Sequence, residues 1–467
     1  MRFALVLFTI ACAAETRSSV AAEPDKGIGS AGPTPAPRVP DTPSAPGPAA
    51  SAETRDLPLR TEPWGPEVFR DRRARLMAQM KTGVGLVLAA DRIDAEAGAR
   101  QDPNFLYLTG LPQETGAMLL LSPEDTKKEI LYLTSMNPER DRWTGYRAAL
   151  PSRALEVRTG FEVIRRVDPF SSGALGGTFS YRVHRWHDMH FFGPLVGYGS
   201  EVPKGLDIYT KTAARVPGSH IRDSMAMLAK MRLVKEPREI EKIAKATDIS
   251  VAGHLEAMRR VRPGMREWDL KQIVEDTFRK GGARYLAYGS IVGGGPDGCV
   301  LHYPLDDRTI QDGELVLIDA GAELDHYASD VTRTFPANGK FTPEQRKIYE
   351  VVLRAQQAAI DRIRPGATWE ELQEIASKVI ADAGYYDYYI HSLGHPVGLE
   401  VHDVNLADVP LAEGMVLTIE PGIYMPRKRI GVRIEDMLVV TKTGSRNLSE
   451  KIPRDPDAIE KLMAGAR

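Results

Sequence analysis

The chain has 467 residues, too many for one ordinary domain, and two domains are expected. With 42 % hydrophobic and 27 % charged residues it can build sizeable apolar cores. A formal charge of −2 excludes a partner chosen by bulk charge, so neither nucleic acid nor an anionic membrane is expected.

Met1 and Arg2 precede the apolar run FALVLFTIACAA, and polar residues and SVAA follow before Glu23. The pattern predicts a secretory signal over residues 1–22, with Ala22 and Val20 small enough for a signal peptidase. The run is too short for a stable transmembrane span. The protein is therefore expected to be exported, periplasmic or extracellular; lipid anchoring through Cys12 is an alternative that its flanking residues fit poorly. Residues 23–60 are rich in Pro, Ala, Ser and Gly and cannot bury enough area to offset the entropy of ordering, so a disordered tether is expected. Removal of the signal leaves Cys299 as the single thiol, and no intrachain disulfide can form.

Folded sequence is expected from about Trp64, with an α/β domain over residues 61–222. VFRDRRARLMAQM reads as a helix and GVGLVLAA as a buried strand; FLYLTG, GAMLLLS and KEILYLTS read as short strands. ALEVRTGFEVIRRV, VGYGS and KGLDIYT continue the mixed pattern. Residues 223–467 form the second domain, opening on helical sequence in which Pro237 marks a fresh helix start. Two stretches, RRVRPGMREWDLKQIVEDTF and DRIRPGATWEELQEIASKVI, share an R-P-G ahead of an acid-rich helix, the signature of an internally duplicated α/β unit. A short closing helix is expected in LSEKIPRDPDAIEKLMAGA.

The chemistry concentrates in five residues: Asp319 in LVLIDAG, Asp330 in YASDVTRTF, His395 in HSLGHPVGLEVHD, Glu420 in MVLTIEPGIY and Glu435 in GVRIEDMLVV. The four carboxylates follow or interrupt apolar, strand-like runs. Burying a carboxylate unpaired costs several kcal/mol. Arg333 and Arg433, nearby in sequence, can pair with two of them but not four. Four carboxylates and an imidazole form a hard, oxygen-rich ligand set suited to two ions of the manganese, cobalt or zinc kind. A water held between two such ions would be acidified into a nucleophile. Scattered salt bridges are the competing reading.

The motifs LHYP at 301, LIDAGAE at 317, SDVTRTFP at 329, HSLGHPVGLEVHDV at 391, LTIEPGIY at 417 and GVRIEDML at 431 together resemble the pita-bread metallopeptidases, in particular the aminopeptidase P and prolidase group. RQDPNFLYLTGLPQETGAMLLL and DRWTGYR extend the resemblance to the N-terminal domain, over roughly residues 65–460. It implies an N-terminal α/β domain followed by a catalytic α+β pita-bread domain. It also implies a dinuclear centre, usually Mn²⁺, with Asp319 on one ion, Asp330 and Glu435 bridging, and His395 and Glu420 on the other. The implied activity is release of an N-terminal residue from peptides with proline in second position. Homodimers or homotetramers are common among such two-domain relatives.

The same resemblance implies roles around the ions. His302 would sit beside the scissile bond, His391 in the substrate pocket, and His402 near the charge developed during attack. Glu420 would double as general base. Arg433 would orient Glu435 or neutralise spare charge, and Tyr303 and Tyr424 would line the pocket. Cys299 lies three residues before His302, but the carboxylates leave a thiolate no necessary task. Prolidases commonly carry an arginine between the metal histidine and the first metal glutamate; residues 396–419 contain none, which favours aminopeptidase P over dipeptide hydrolysis. The loops at 404–412 and 425–430 are short for the family, and the basic YMPRKR is a candidate contact for acidic substrate residues. A creatinase-like hydrolase or a binding module would not need all five ligands, and a methionine aminopeptidase would lack the first domain.

Overall fold

A computed structural model of the chain describes residues 64–93, 100–134, 139, 142, 153–167, 173–193, 199–406 and 408–466. The signal, the tether, Cys12, most of DRWTGYR and part of VGYGS lie outside the described residues.

The first domain is a six-stranded mixed sheet. Its strands are β1 (Val84–Leu88), β2 (Met118–Leu121), β3 (Glu129–Thr134), β4 (Ile164–Val167), β5 (Asp188–Phe191) and β6 (His220–Asp223), in the order β4-β3-β2-β1-β5-β6. β1, β2 and β3 pair antiparallel, and the flanking strands pair parallel. Alternate residues enter two separate cores: Val87, Leu119 and Leu131 on one face, Leu86, Leu120 and Ile130 on the other. Helices α1 (Pro66–Met80), α2 (Pro103–Thr109) and α3 (Arg153–Thr159) contribute to the first core; α4 (Gly173–Trp186) and α5 (Lys204–Ala213) contribute to the second.

FLYLTG departs from its expected strand. It lies in helix α2 because Asp102 caps it, accepting from Phe105 N at 2.7 Å, Pro103 occupies the first turn, and Gly110 ends it in the left-handed conformation. A five-residue apolar run does not distinguish strand from buried helix; the flanking caps do. Helix α6 (Met225–Leu233) places Leu228 and Met231 in the first domain's core and Leu233 in the second's.

The second domain opens on α7 (Pro237–Arg260), where Glu239 reaches back to Glu236 N at 2.9 Å, and α8 (Glu267–Lys280). Strands β7 (Tyr285–Leu286), β8 (Ile291–Gly294), β9 (Leu315–Asp319), β10 (Ala322–Leu324), β11 (Tyr327–Ala328) and β12 (Thr332–Pro336) form two three-stranded sheets, β12-β9-β8 and β11-β10-β7. Helices α9 (Pro343–Arg362) and α10 (Trp369–Asp382) follow. Then β13 (Val416–Ile419), β14 (Gly422–Met425), β15 (Ile430–Arg433), β16 (Asp436–Val440) and β17 (Ser445–Asn447) form the sheet β13-β16-β17 and the hairpin β14-β15, and α11 (Pro456–Ala464) closes the chain.

The duplication read from the two R-P-G stretches has a matching backbone pattern. Gly264 N donates to Ile310 O and Ile310 N to Met265 O; Gly366 N donates to Leu411 O and Leu411 N to Ala367 O. Both glycines adopt left-handed φ, +92° and +90°. From each bonded residue five positions lead to a strand, Leu315–Asp319 and Val416–Ile419. Asp319 therefore ends β9, and Glu420 directly follows β13, at equivalent places in the two halves.

The two domains are tied by buried charge. Arg72 of α1 lies 3.3 Å from Glu239 of α7. A cleft of about 650 Å³ runs between the domains, with Asn104 and Phe192 on one wall and Leu399, Glu400 and Val401 on the other.

Candidate metal centre

The five predicted ligands come together from Asp319 at the end of β9, Glu420 just after β13, Glu435 just before β16, and Asp330 and His395 on connecting segments. Asp319, Asp330 and Glu435 are buried. Tyr288 Oη donates to Asp319 Oδ1 at 2.5 Å and is hydrogen-bonded to Asp330 Oδ1 as well. His395 Nε2 lies 3.4 Å from Asp330 Oδ2 and 3.5 Å from Glu420 Oε1. Ligand atoms of Asp330, His395 and Glu435 all lie within 4.8 Å of one another. Glu435 Oε2 accepts from Thr332 Oγ1 at 2.7 Å, while Glu435 Oε1 is buried without a hydrogen-bond partner.

Compensating positive charge is scarcer than the sequence suggests. Arg433 Nη2 donates to Asp319 Oδ2 at 2.5 Å, its Nη1 to Tyr424 Oη at 2.9 Å and its Nε to Thr332 Oγ1 at 3.2 Å; Nε lies 4.0 Å from Glu420 Oε2. Arg333 does not serve the cluster's carboxylates. It pairs with Asp436 at 2.6 Å and donates to the Glu435 carbonyl at 2.5 Å, because consecutive residues of β12 point to opposite faces and Thr332 takes the one towards the Glu435 carboxylate.

The protonation pattern follows. Burial opposes the Asp319 carboxylate, but the Arg433 guanidinium and the Tyr288 hydroxyl outweigh it and hold the carboxyl below its ordinary range. Burial and the neighbouring acids push Asp330 and Glu435 well above theirs. Burial, then Glu435, raises Glu420 to about 8. An oxygen-rich, buried cluster that resists ionisation and holds an orphaned carboxylate oxygen fits divalent cations. Each carboxylate oxygen carries a second lone pair, so the contacts to Tyr288 and Arg433 leave room for a cation.

The histidines group around this centre. His391 Nε2 shares a hydrogen bond of 2.8 Å with Tyr424 Oη. The His402 ring meets His395 edge-on, 4.1 Å between centroids. Burial, helped by Arg433 for His391 and by His395 for His402, lowers both to about 4, so both are neutral at pH 7. His302 is exposed and stands within electrostatic reach of both. Tyr303 is tied elsewhere: its hydroxyl donates to Glu267 at 3.1 Å and Asp307 at 3.2 Å, anchoring the loop that carries His302. Burial pushes the Cys299 thiol up to about 11, which suits an inert core residue. In YMPRKR, Lys428 and Arg429 are paired within the chain, to Glu344 and Glu314.

Tyr288, Thr332 and Arg232 escaped the sequence reading. Arg232 pairs with Asp403 at 2.5 Å and Glu400 at 2.7 Å and donates to Asn104 at 2.7 Å, so the first domain holds the loop bearing His402. Their partners lie 31 to 171 residues away, beyond any local pattern. Arg433 provides a direct check on the electrostatics. Arg433→Leu leaves Asp319 buried without its cation and is expected to destabilise the metal-free protein by about 3–5 kcal/mol, read by urea unfolding at pH 7. A loss under about 1 kcal/mol, the range of exposed pairs, would refute that assignment.

Comparison with known proteins agrees with this geometry. Residues 241–442 match metallopeptidase family M24, and residues 69–172 match the aminopeptidase P N-terminal domain. The Xaa-Pro aminopeptidase of Haemophilus influenzae is 35 % identical over 437 residues, 85 % of this chain and 97 % of that protein. The Xaa-Pro dipeptidase of Pyrococcus horikoshii is 35 % identical over 362 residues, 77 % and 93 % of the two chains. The solved structure of Pseudomonas aeruginosa aminopeptidase PepP superposes with a TM-score of 0.75 at 34 % identity, covering 86 % of this chain and 99 % of that one. With the five predicted ligands gathered in one buried cluster and both domains matched, the chain belongs to the pita-bread metallopeptidases of family M24, in the aminopeptidase P group.

Proposed function

We propose that the protein is an Xaa-Pro aminopeptidase, hydrolysing the first peptide bond of peptides whose second residue is proline. The observation that carries this is the gathering of Asp319, Asp330, His395, Glu420 and Glu435 around a buried carboxylate oxygen with no protein partner. Bound there, two divalent ions, Mn²⁺ first and Zn²⁺ or Co²⁺ as alternatives, would supply Lewis acidity and a water acidic enough to attack at neutral pH. Asp319 would hold one ion, Asp330 and Glu435 both, and His395 and Glu420 the other.

The remaining groups have distinct tasks. A Glu420 carboxylate oxygen takes the proton of the attacking water and returns it to the leaving proline nitrogen. His402 and His302, reaching the scissile carbonyl, donate hydrogen bonds to its developing negative charge. Tyr424 is fixed between His391 and Arg433, and with them shapes the pocket for the proline ring. Proline is distinguished by its missing N–H and fixed φ, which packing can read.

Hydrolysis of Arg-Pro-Pro and Ala-Pro by metal-stripped protein, with and without Mn²⁺, tests the reading. Metal-dependent release of arginine with little Ala-Pro turnover is expected. Strong Ala-Pro turnover with the tripeptide untouched would make the protein a prolidase. That second reading is kept open by the dipeptidase relative and opposed by the absence of arginine from residues 396–419. Export through residues 1–22 and assembly as a homodimer or homotetramer complete the proposal. N-terminal sequencing of the secreted protein, expected to begin at Glu23, and sedimentation check them. No described helix is long and apolar enough to cross a membrane.

A further inference from the structure

Two β-ladders meet at the metal centre and neither runs through it. The pair Ile419↔Asp436 ends one, and Gly422↔Arg433 begins the next. The residues in the gap are Glu420, Pro421, Ile434 and Glu435. Pro421 has no N–H to continue the ladder, and Ile434 N reaches Pro421 O only at 3.4 Å. The break lets the two glutamates leave the regular strand pleat. Their own N–H groups bond elsewhere, Glu420 N to Leu393 O at 2.8 Å and Glu435 N to Thr332 O at 3.1 Å, and the carbonyls just before them are left to other donors.

Gln356, fully buried on α9, spans this gap from behind. Its Nε2 donates to Ile419 O at 3.0 Å and to Ile434 O at 3.0 Å. Ile419 directly precedes Glu420, and Ile434 directly precedes Glu435. Gln356 Oε1 accepts from Arg454 Nη1 at 2.9 Å. Arginine can only donate, so the amide has one orientation and both its N–H groups face the two carbonyls. Arg454 is itself held by Asp436 at 3.2 Å, and Asp436 by Arg333.

We infer that Gln356 is a positioning residue for the metal centre: it fixes the separation of the peptide groups before Glu420 and Glu435, and so sets the spacing at which these carboxylates meet divalent cations. The inference rests on the metal reading above. Groups behind the ligands commonly govern metal affinity, and their loss typically weakens it 10- to 100-fold.

The test is calorimetric titration of Mn²⁺ into the metal-stripped full chain, unaltered and as Gln356→Met, which keeps length and volume but removes both donors. An affinity about 10- to 100-fold weaker is expected, with the exposed-glutamine control Gln272→Met unchanged. Urea unfolding of the same metal-free proteins separates the alternative: a purely structural residue would lower stability while the folded fraction bound Mn²⁺ as before, and that result overturns the proposal. If Gln356→Met does not fold, Arg454→Met decides. It frees the amide to rotate and is expected to weaken Mn²⁺ binding; unchanged affinity overturns the proposal. Failure of the unaltered protein to bind Mn²⁺ at all is a separate outcome, which removes the metal reading and this inference together.

Discussion

Glu435→Gln is expected to give a metal-stripped protein more stable than the unaltered chain at pH 8, by about 1–3 kcal/mol, while its Mn²⁺-supported hydrolysis of Arg-Pro-Pro falls at least about 100-fold. The two effects share one cause. Glu435 is 1 % exposed, one oxygen held by Thr332 and the other unpartnered, with Asp330 close enough to disfavour its charge. A glutamine keeps the shape, accepts from Thr332 as before, and can turn its NH₂ towards the neighbouring carboxylate. It removes a charge that the empty fold tolerates poorly. The same charge is what a bridging ligand must offer a cation, so function is lost as stability is gained. Urea unfolding of the stripped proteins and initial rates after adding Mn²⁺ measure the two halves. A variant both less stable and fully active would show that the carboxylate is structural.

Between pH 7 and pH 9 the stripped protein is expected to lose about 1–3 kcal/mol of stability. Glu420 has a folded pKa of about 8, raised from an ordinary 4.5. Its contribution to stability is therefore fully present below 4.5 and disappears as pH rises through about 8. Asp330 and Glu435 are shifted in the same direction. Asp319 is shifted the other way, and its contribution is lost only as pH falls below the usual carboxylate range. His254, His391 and His402, lowered to about 4 mainly by burial, add stability as pH rises towards 6.5, which is why the window starts at pH 7. Saturating Mn²⁺ should reverse the trend, because cations take the ionised carboxylates and release their protons. Unfolding at the two pH values, with chelator or with Mn²⁺, reads the result. Stability of the stripped protein that stays level or rises across the window would rule out a cluster of reluctant carboxylates.

Much of this site was legible before any coordinates. A carboxylate at the end of an apolar run is a local feature, and the same signal occurs at Asp319, Glu420 and Glu435. The R-P-G stretches carried the duplication because a left-handed glycine and a following helix are both written in short sequence. Where local signals competed, the reading failed. FLYLT was apolar enough for a strand, and only Asp102, Pro103 and Gly110 decided for helix. Arg333 and Arg433 looked equivalent, yet one serves Asp436 and the other Asp319.

The amino-acid sequence by itself determined the candidate ligands, the strands β9 and β13 that lead to Asp319 and Glu420, and the repeated helix-strand unit. These depend on residue type, period and caps over a few positions. Only the tertiary structure decided which charges pair, that Tyr288 bridges two acids, that Tyr303 anchors the His302 loop on Glu267, and that Gln356 fills a gap in a β-ladder. Those contacts join residues tens to more than a hundred positions apart. Burial then sets their worth, because a carboxylate or an amide in the interior must find its partner wherever the packed elements bring one.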